Sequence, residues 1–157
     1  MPTSSMSPTD LLGEWSFSRR IDDRAAGRRG TVTGRSTLVL EPDGRVRWSE
    51  QGSLVWPGSD PLPVSRTLRV EPRESGWFVT FEDGSEFHPW QPGVVVEHPC
   101  RADLYRGLIH EPVGGTRGWS VMWECVGPGK DYTMTTLLRP AETVVPAPAR
   151  EPESPER

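Results

Sequence analysis

Along most of this chain apolar and polar residues alternate with a period of two, and Gly, Pro and Asp residues cut the alternation at short intervals. That is the pattern of half-buried β-strands in a sandwich or barrel, and helical periodicity is almost absent. The first predicted strand, 13–21, sets Trp15, Phe17 and Ile21 on one face and Glu14, Ser16, Ser18 and Arg20 on the other, with Arg19 interrupting the apolar face. Just before it, Ser7 and Pro8 suit the cap and first position of a short helical turn over 7–12, which would close one barrel end. The clearest hairpin joins 30–41 to 45–54 through Pro42-Asp43-Gly44, which supplies a preset φ, a side-chain acceptor and a residue tolerant of positive φ. Val32, Gly34, Ser36, Leu38 and Leu40 share a face on its first arm, and Val46, Trp48, Glu50, Gly52 and Leu54 share one on its second, so Glu50 is expected to point inward.

Pro57, Pro61 and Pro63 mark 56–63 as a loop. Strands are then expected at 64–71, 76–82, 85–90, 93–97, 102–110, 118–126 and 131–139, with a turn at Glu82-Asp83-Gly84-Ser85. About ten strands are more than a small open sheet holds without curling, and closure removes exposed edges. The expected fold is all-β: an antiparallel meander closed into a barrel of about eight to ten strands, with a short N-terminal helical turn.

Length and composition narrow the function classes. The 157 residues fit one domain, expected as a flexible start over 1–10, a β-barrel over 11–140 and a disordered Pro- and Glu-rich tail over 141–157. A hydrophobic content of 34% with 25% charged residues is too apolar for a disordered chain and too polar for a membrane-spanning one. No apolar run approaches the ~20 residues of a bilayer span, and the start has neither a basic nor an apolar region, so a cytoplasmic protein is expected. In that reducing compartment Cys100 and Cys125 are expected as free thiols. Net charge is −4 and the basic residues are scattered, which argues against a nucleic-acid partner. A monomer or homodimer is expected.

The Gly13-Glu14-Trp15 run opening the first strand resembles the Gly-x-Trp signature of lipocalins and related calycin barrels. That resemblance implies an Arg from the last strand packed over the Trp, a role that would fall to Arg139. A longer resemblance covers most of 11–139. The stretches His98-x-Cys100-x-x-Asp103-x-Tyr105-x-Gly107 and Trp119-x-x-x-Trp123-x-x-x-Gly127-Pro128-x-Lys130-Asp131-Tyr132 are similar to those of a bacterial family of small domains of unknown function. It implies a calycin-like fold, related to lipocalins and fatty-acid-binding proteins, and carries no activity with it.

Several residues could carry chemistry. His98, Cys100 and Asp103 are all metal-ligand types, and positions two apart on a strand face the same way. Structural roles fit them better, with Cys100 as a small hydrophobe and Asp103 as a turn acceptor, so no metal is assigned. Lys130 is the only lysine of the chain. It could act as a base or Schiff-base amine beside Asp131 and Tyr132, but a solvated lysine at a hairpin tip is the simpler reading. Inward-pointing Glu50 needs a partner. Arg19 and Arg66 could each pair with it, or together receive an acidic ligand.

Trp48, Trp119, Trp123, Phe17 and Tyr132 would line a cavity or fill it. His88 and His110 stand outside any triad pattern, and no nucleophile elbow, phosphate loop or dinucleotide fingerprint is present, so no catalytic residue or cofactor is assigned. The leading expectation is a barrel binding a small, mainly apolar or amphipathic molecule through Arg19, Trp48, Glu50, Arg66, Trp119, Trp123 and Tyr132. One alternative is a cofactor-free cyclase, isomerase or hydrolase using Glu50 or the Asp103/Tyr105 pair as acid or base. Another is a protein-interaction module, which needs an exposed apolar patch or free strand edge.

Overall fold

Ten antiparallel strands follow one 3-10 turn, Pro8–Leu11, in the computed structural model, which describes residues 6–111 and 117–141. They are β1 (Gly13–Asp23), β2 (Arg28–Leu40), β3 (Val46–Val55), β4 (Leu62–Arg73), β5 (Gly76–Phe81), β6 (Glu86–Pro89), β7 (Val96–Cys100), β8 (Asp103–His110), β9 (Trp119–Gly127) and β10 (Lys130–Pro140). All belong to one sheet in the order β6-β5-β4-β3-β2-β1-β10-β9-β8-β7. Each strand pairs with its sequence neighbour, and β1 pairs with β10, so a meander has curled until its first and last strands meet. The edge strands β6 and β7 touch through side chains without a hydrogen-bonded ladder, leaving a nearly closed barrel with one seam. No helix among the described residues is long and apolar enough to cross a membrane.

The alternation sorts residues as period two requires. Trp15, Phe17, Val32, Leu38, Val46, Trp48, Leu68, Val70, Val79, Ile109, Trp119, Val121, Trp123 and Leu138 are buried inside. Their strand neighbours Glu14, Ser16, Arg35, Met122 and Leu137 face out. The turns carry the expected glycines: Gly44 and Gly84 sit at φ 91° and 89°, where a side chain would be strained.

One expectation about proline, one about a strand's bounds and one about arginine are corrected. Strand β4 starts at Leu62 and includes Pro63, and β7 runs later than expected, through Pro99 to Cys100. Neither proline breaks a ladder on both sides: β7 pairs only with β8, and β5 reaches no further along β4 than Leu68, so Pro63 has a single partner strand. Arg139 does not cover Trp15. It lies opposite outward-facing Ser16 and is exposed, because the inward positions of β10 are Met134, Thr136 and Leu138, and 139 falls on the other face. Trp15 is enclosed instead by the 3-10 turn, donating Nε1–H to the Leu11 carbonyl at 2.8 Å, and by Trp119, edge-on at 5.9 Å between centroids.

Packing onto the barrel includes residues before 11. Pro8 and Leu11 are buried, the Ser7 amide donates to Asp10 Oδ2 at 2.9 Å, and Trp90 Nε1 donates to the Met6 carbonyl at 2.9 Å. Of the expected flexible start, 1–5 lies outside the described residues, as does 142–157 of the expected tail.

Candidate functional site

Strand directions divide the interior into a base, a centre and a mouth. The base holds the 3-10 turn, the β2–β3 turn and the far end of β10. The mouth is rimmed by the β1–β2, β3–β4, β5–β6, β7–β8 and β9–β10 connections. The base is packed solid by four tryptophans. Trp48 and Trp119 lie 5.5 Å apart, Trp90 is 6.0 Å from Trp48, and Trp15 is edge-on to Trp119. Trp15 and Trp90 tie the N-terminal segment down through their indole N–H groups, whereas Nε1 of Trp48 and of Trp119 meets no acceptor among the described residues.

Above this base lies a charged centre. Glu50, 8% exposed, receives a two-pronged contact from Arg19: Nη1 is 3.0 Å from Oε1 and Nη2 is 3.0 Å from Oε2. Arg19 Nε also donates to Thr136 Oγ1 at 2.8 Å, its guanidinium lies 4.9 Å from the Phe17 ring centroid, and buried Ser36 donates to Glu50 Oε2 at 3.5 Å. Arg66, directly opposite Glu50 in the β3–β4 register, reaches only to 3.6 Å from Oε1. Burial would raise the Glu50 pKa, but the guanidiniums of Arg66 and Arg19 outweigh it and hold the carboxyl below its ordinary value. Glu50 therefore stays a carboxylate at neutral pH. The space these groups enclose with Trp48, Val121, Trp123, Met134 and Leu138 is about 10 Å³, roughly one water's worth.

The mouth end carries a second set of apolar side chains. Ile21, Leu54, Val64, Phe81, Phe87, Tyr105 and Met134 pack against the core there and remain partly exposed, as Met6 and Trp77 do beside the base. Aromatic rings are laid on glycines here. A Cβ on Gly107 would stand 2.6 Å from the Trp123 ring, one on Gly30 would stand 2.7 Å from the Trp56 ring, and one on Gly52 would stand 3.1 Å from Phe17. Trp123 in turn stacks on Phe87 (4.9 Å, 13°) and Phe87 on Phe81 (4.4 Å, 17°), which fills the β6–β7 seam. His88, 3% exposed, has Nδ1 2.8 Å from the Pro89 carbonyl, and burial lowers its pKa to about 4, so it is neutral.

On the β8–β10 side the two sequence stretches singled out above come together. Lys130 Nζ is 3.1 Å from Asp103 Oδ2 and donates to the Tyr105 hydroxyl at 3.2 Å, while His98 lies 6.1 Å from the Tyr105 ring. Gly127 makes room for Asp103, whose carboxylate a Cβ would strike. Lys130 starts β10, and its hydrogen bonds to Tyr105 and Asp103 raise its pKa well above the lysine range. A protonated ammonium offers no amine for Schiff-base chemistry. Tyr132 stands beside Tyr105 and Cys125, and burial, reinforced by them, pushes its phenol far up.

Of the expected ligand-binding residues, Arg19, Trp48, Glu50, Arg66 and Trp123 therefore surround one centre, Tyr132 lies on the mouth wall, and Trp119 is packed in the base. Thr136, Ser36 and Met134 join them without having been singled out. Thr136 shares its strand face with Leu138 and Ser36 shares one with Leu38, so the alternation itself placed both inside. Cys100 is exposed and Cys125 buried, both free, and no group of three or more metal-ligating side chains assembles among the described residues.

A concavity of about 840 Å³ lies outside the barrel on the outward faces of β10, β1 and β2, around Arg20, Asp22, Thr31, Thr133 and Thr135. Within it Arg24 meets Asp131 at 2.9 Å and Arg29 meets Asp22 at 3.9 Å.

Residues 11–140 match the model of a family described as a family of unknown function, DUF6314. The chain belongs to that family. No curated protein matches the sequence. Among solved structures, this DUF6314 chain is similar to the S-type phycobiliprotein lyase CPES of Guillardia theta, with TM-score 0.56 and 15% identity over 85% of this chain and 90% of that one. It is also similar to a protein of unknown function from the DUF3598 family of Nostoc punctiforme, with TM-score 0.50 and 14% identity over 85% of this chain and 48% of that one. At such identities the likeness is one of fold, an antiparallel β-barrel.

Proposed function

We propose that this barrel binds a small amphipathic molecule in its mouth, with the apolar body among Ile21, Leu54, Val64, Tyr105 and Met134 and the polar end toward Arg66, Arg19 and Glu50. One observation carries the reading: the inward-pointing apolar side chains of the mouth stay partly exposed directly above a charged centre. A barrel selected for stability alone would fill that end as the tryptophans fill the other, since each buried large apolar side chain contributes roughly 1.5–3 kcal/mol. An apolar wall with a few convergent polar groups is the usual build of a small-molecule site. The likeness to a phycobiliprotein lyase supports the barrel and leaves the ligand open. Glu50 serves in this reading as the anchor of two arginines. Held as a carboxylate, it is poorly suited to donate protons at neutral pH.

Titration with the neutral fluorophore N-phenyl-1-naphthylamine tests the proposal. Saturable, one-site enhancement is expected, with a rise in melting temperature, because a ligand bound only by the native state stabilises it by mass action. Leu54→Gln, on the mouth wall, should weaken binding on the order of tenfold while leaving the fold intact, since a lost apolar contact of ~1.4 kcal/mol corresponds to that factor. Unsaturable enhancement, or affinity indifferent to Leu54, would contradict it.

A further inference from the structure

We infer that the molecule bound in the mouth carries an anionic head, a carboxylate in the simplest case, and that Arg66 receives it. The inference rests on the mouth being the ligand site and adds the chemistry of the head. Charge matching among the inward-facing groups motivates it. At the rim, Asp23 answers Arg28 at 3.9 Å and Asp103 answers Lys130 at 3.1 Å. At the centre two guanidiniums share one carboxylate, and the sharing is unequal. Arg19 occupies both oxygens of Glu50 at 3.0 Å in a fork-on-fork contact, the strong geometry for this pair. Arg66 is left at 3.6 Å from an oxygen already engaged, outside hydrogen-bond distance.

Arg66 thus has five N–H donors and no hydrogen bond among the described residues. Neutral His88 supplies no balancing charge. Nor is Arg66 sealed off: 37% of its side-chain surface remains exposed, and its inward neighbour toward the mouth is apolar Val64. Burial disfavours its charged form, a cost that an incoming anion would offset. A head at Arg66 with its tail running past Val64 toward Leu54 and Ile21 matches the order of residues along the strands.

The test compares decanoate, decanol and decylamine, equal in chain length, on the full chain at pH 7.5, by displacement of the fluorophore. Decanoate should bind best, by roughly ten- to a hundredfold over decanol, the range for a charge-assisted hydrogen bond. Arg66→Gln should bring decanoate and decanol within about twofold of each other, roughly what loss of that bond leaves, while decanol affinity stays unchanged. Glu50 keeps Arg19 in this variant, so the fold should persist. As a second variant, Val64→Glu places a carboxylate beside Arg66 and should remove the preference in the same way. Equal binding of decanoate and decanol by the unaltered protein would overturn the inference and leave the amphiphile site standing. A preference for decylamine, or a decanoate preference surviving in both variants, would overturn it too. Binding of none of the three would overturn the mouth as a ligand site, and this inference with it.

Discussion

Glu50 shows how far one residue's place can be read from alternation. Its face followed from Val46, Trp48 and Leu54, and the need for a cationic partner followed from the cost of burying a carboxylate. The division of labour between Arg19 and Arg66 did not follow, because it depends on barrel curvature, which brings β1 across to β3. Glu50→Gln leaves two guanidiniums facing each other without their shared counter-charge. It should cost about 3–5 kcal/mol in urea unfolding, the range for breaking a buried pair. A loss under about 1 kcal/mol would mean that water reaches the centre freely. His88 gives a pH signature. Its folded pKa of about 4 lies below the ordinary 6.5, so the stability it contributes is complete above pH 6.5 and is lost as pH falls toward 4. The loss is on the order of 3 kcal/mol. Thermal melts between pH 7.5 and 4.5 should show this decline, and His88→Gln should flatten it. A wild-type curve flat over that span would contradict the burial of a neutral imidazole.

Strand existence and facing were legible because period two survives in most of the strands, but ends and irregular partners were not. Pro63 looked like a loop marker, and whether a strand position has one ladder or two is a property of the sheet. Arg139 was one residue out of phase with Leu138, and a single position moves a side chain to the opposite face. Glycine and aromatic pairs were likewise hidden, since Gly107 and Trp123 meet only across the β8–β9 register. Their substitutions should differ in severity. Gly107→Ala presses on a side chain that can shift and should cost about 1–3 kcal/mol. Gly34→Ala would strike the Gln51 carbonyl oxygen and the backbone of Gly52, so it should cost more. Equal losses in denaturant melts would contradict the close β2–β3 approach.

For the whole molecule, one sheet with one unladdered seam sets both stability and access. The base is closed by tryptophans and the N-terminal turn, β1 and β10 are paired on both sides, and β6 and β7 are paired on one side only. Amide exchange should be slowest along β1, β2 and β10 and fastest at β6 and β7, since cooperative protection follows buried, doubly paired strands. The central claim, that a small molecule enters the mouth above a charged centre, is tested most directly by methyl NMR during titration with N-phenyl-1-naphthylamine. Saturable shifts should appear at Ile21, Leu54, Val64 and Met134 and be absent at Leu38, Val46, Val70 and Leu138 in the base. Shifts confined to the outward methyls of Val55, Val126 and Leu137, or no saturable shift at any methyl, would contradict it.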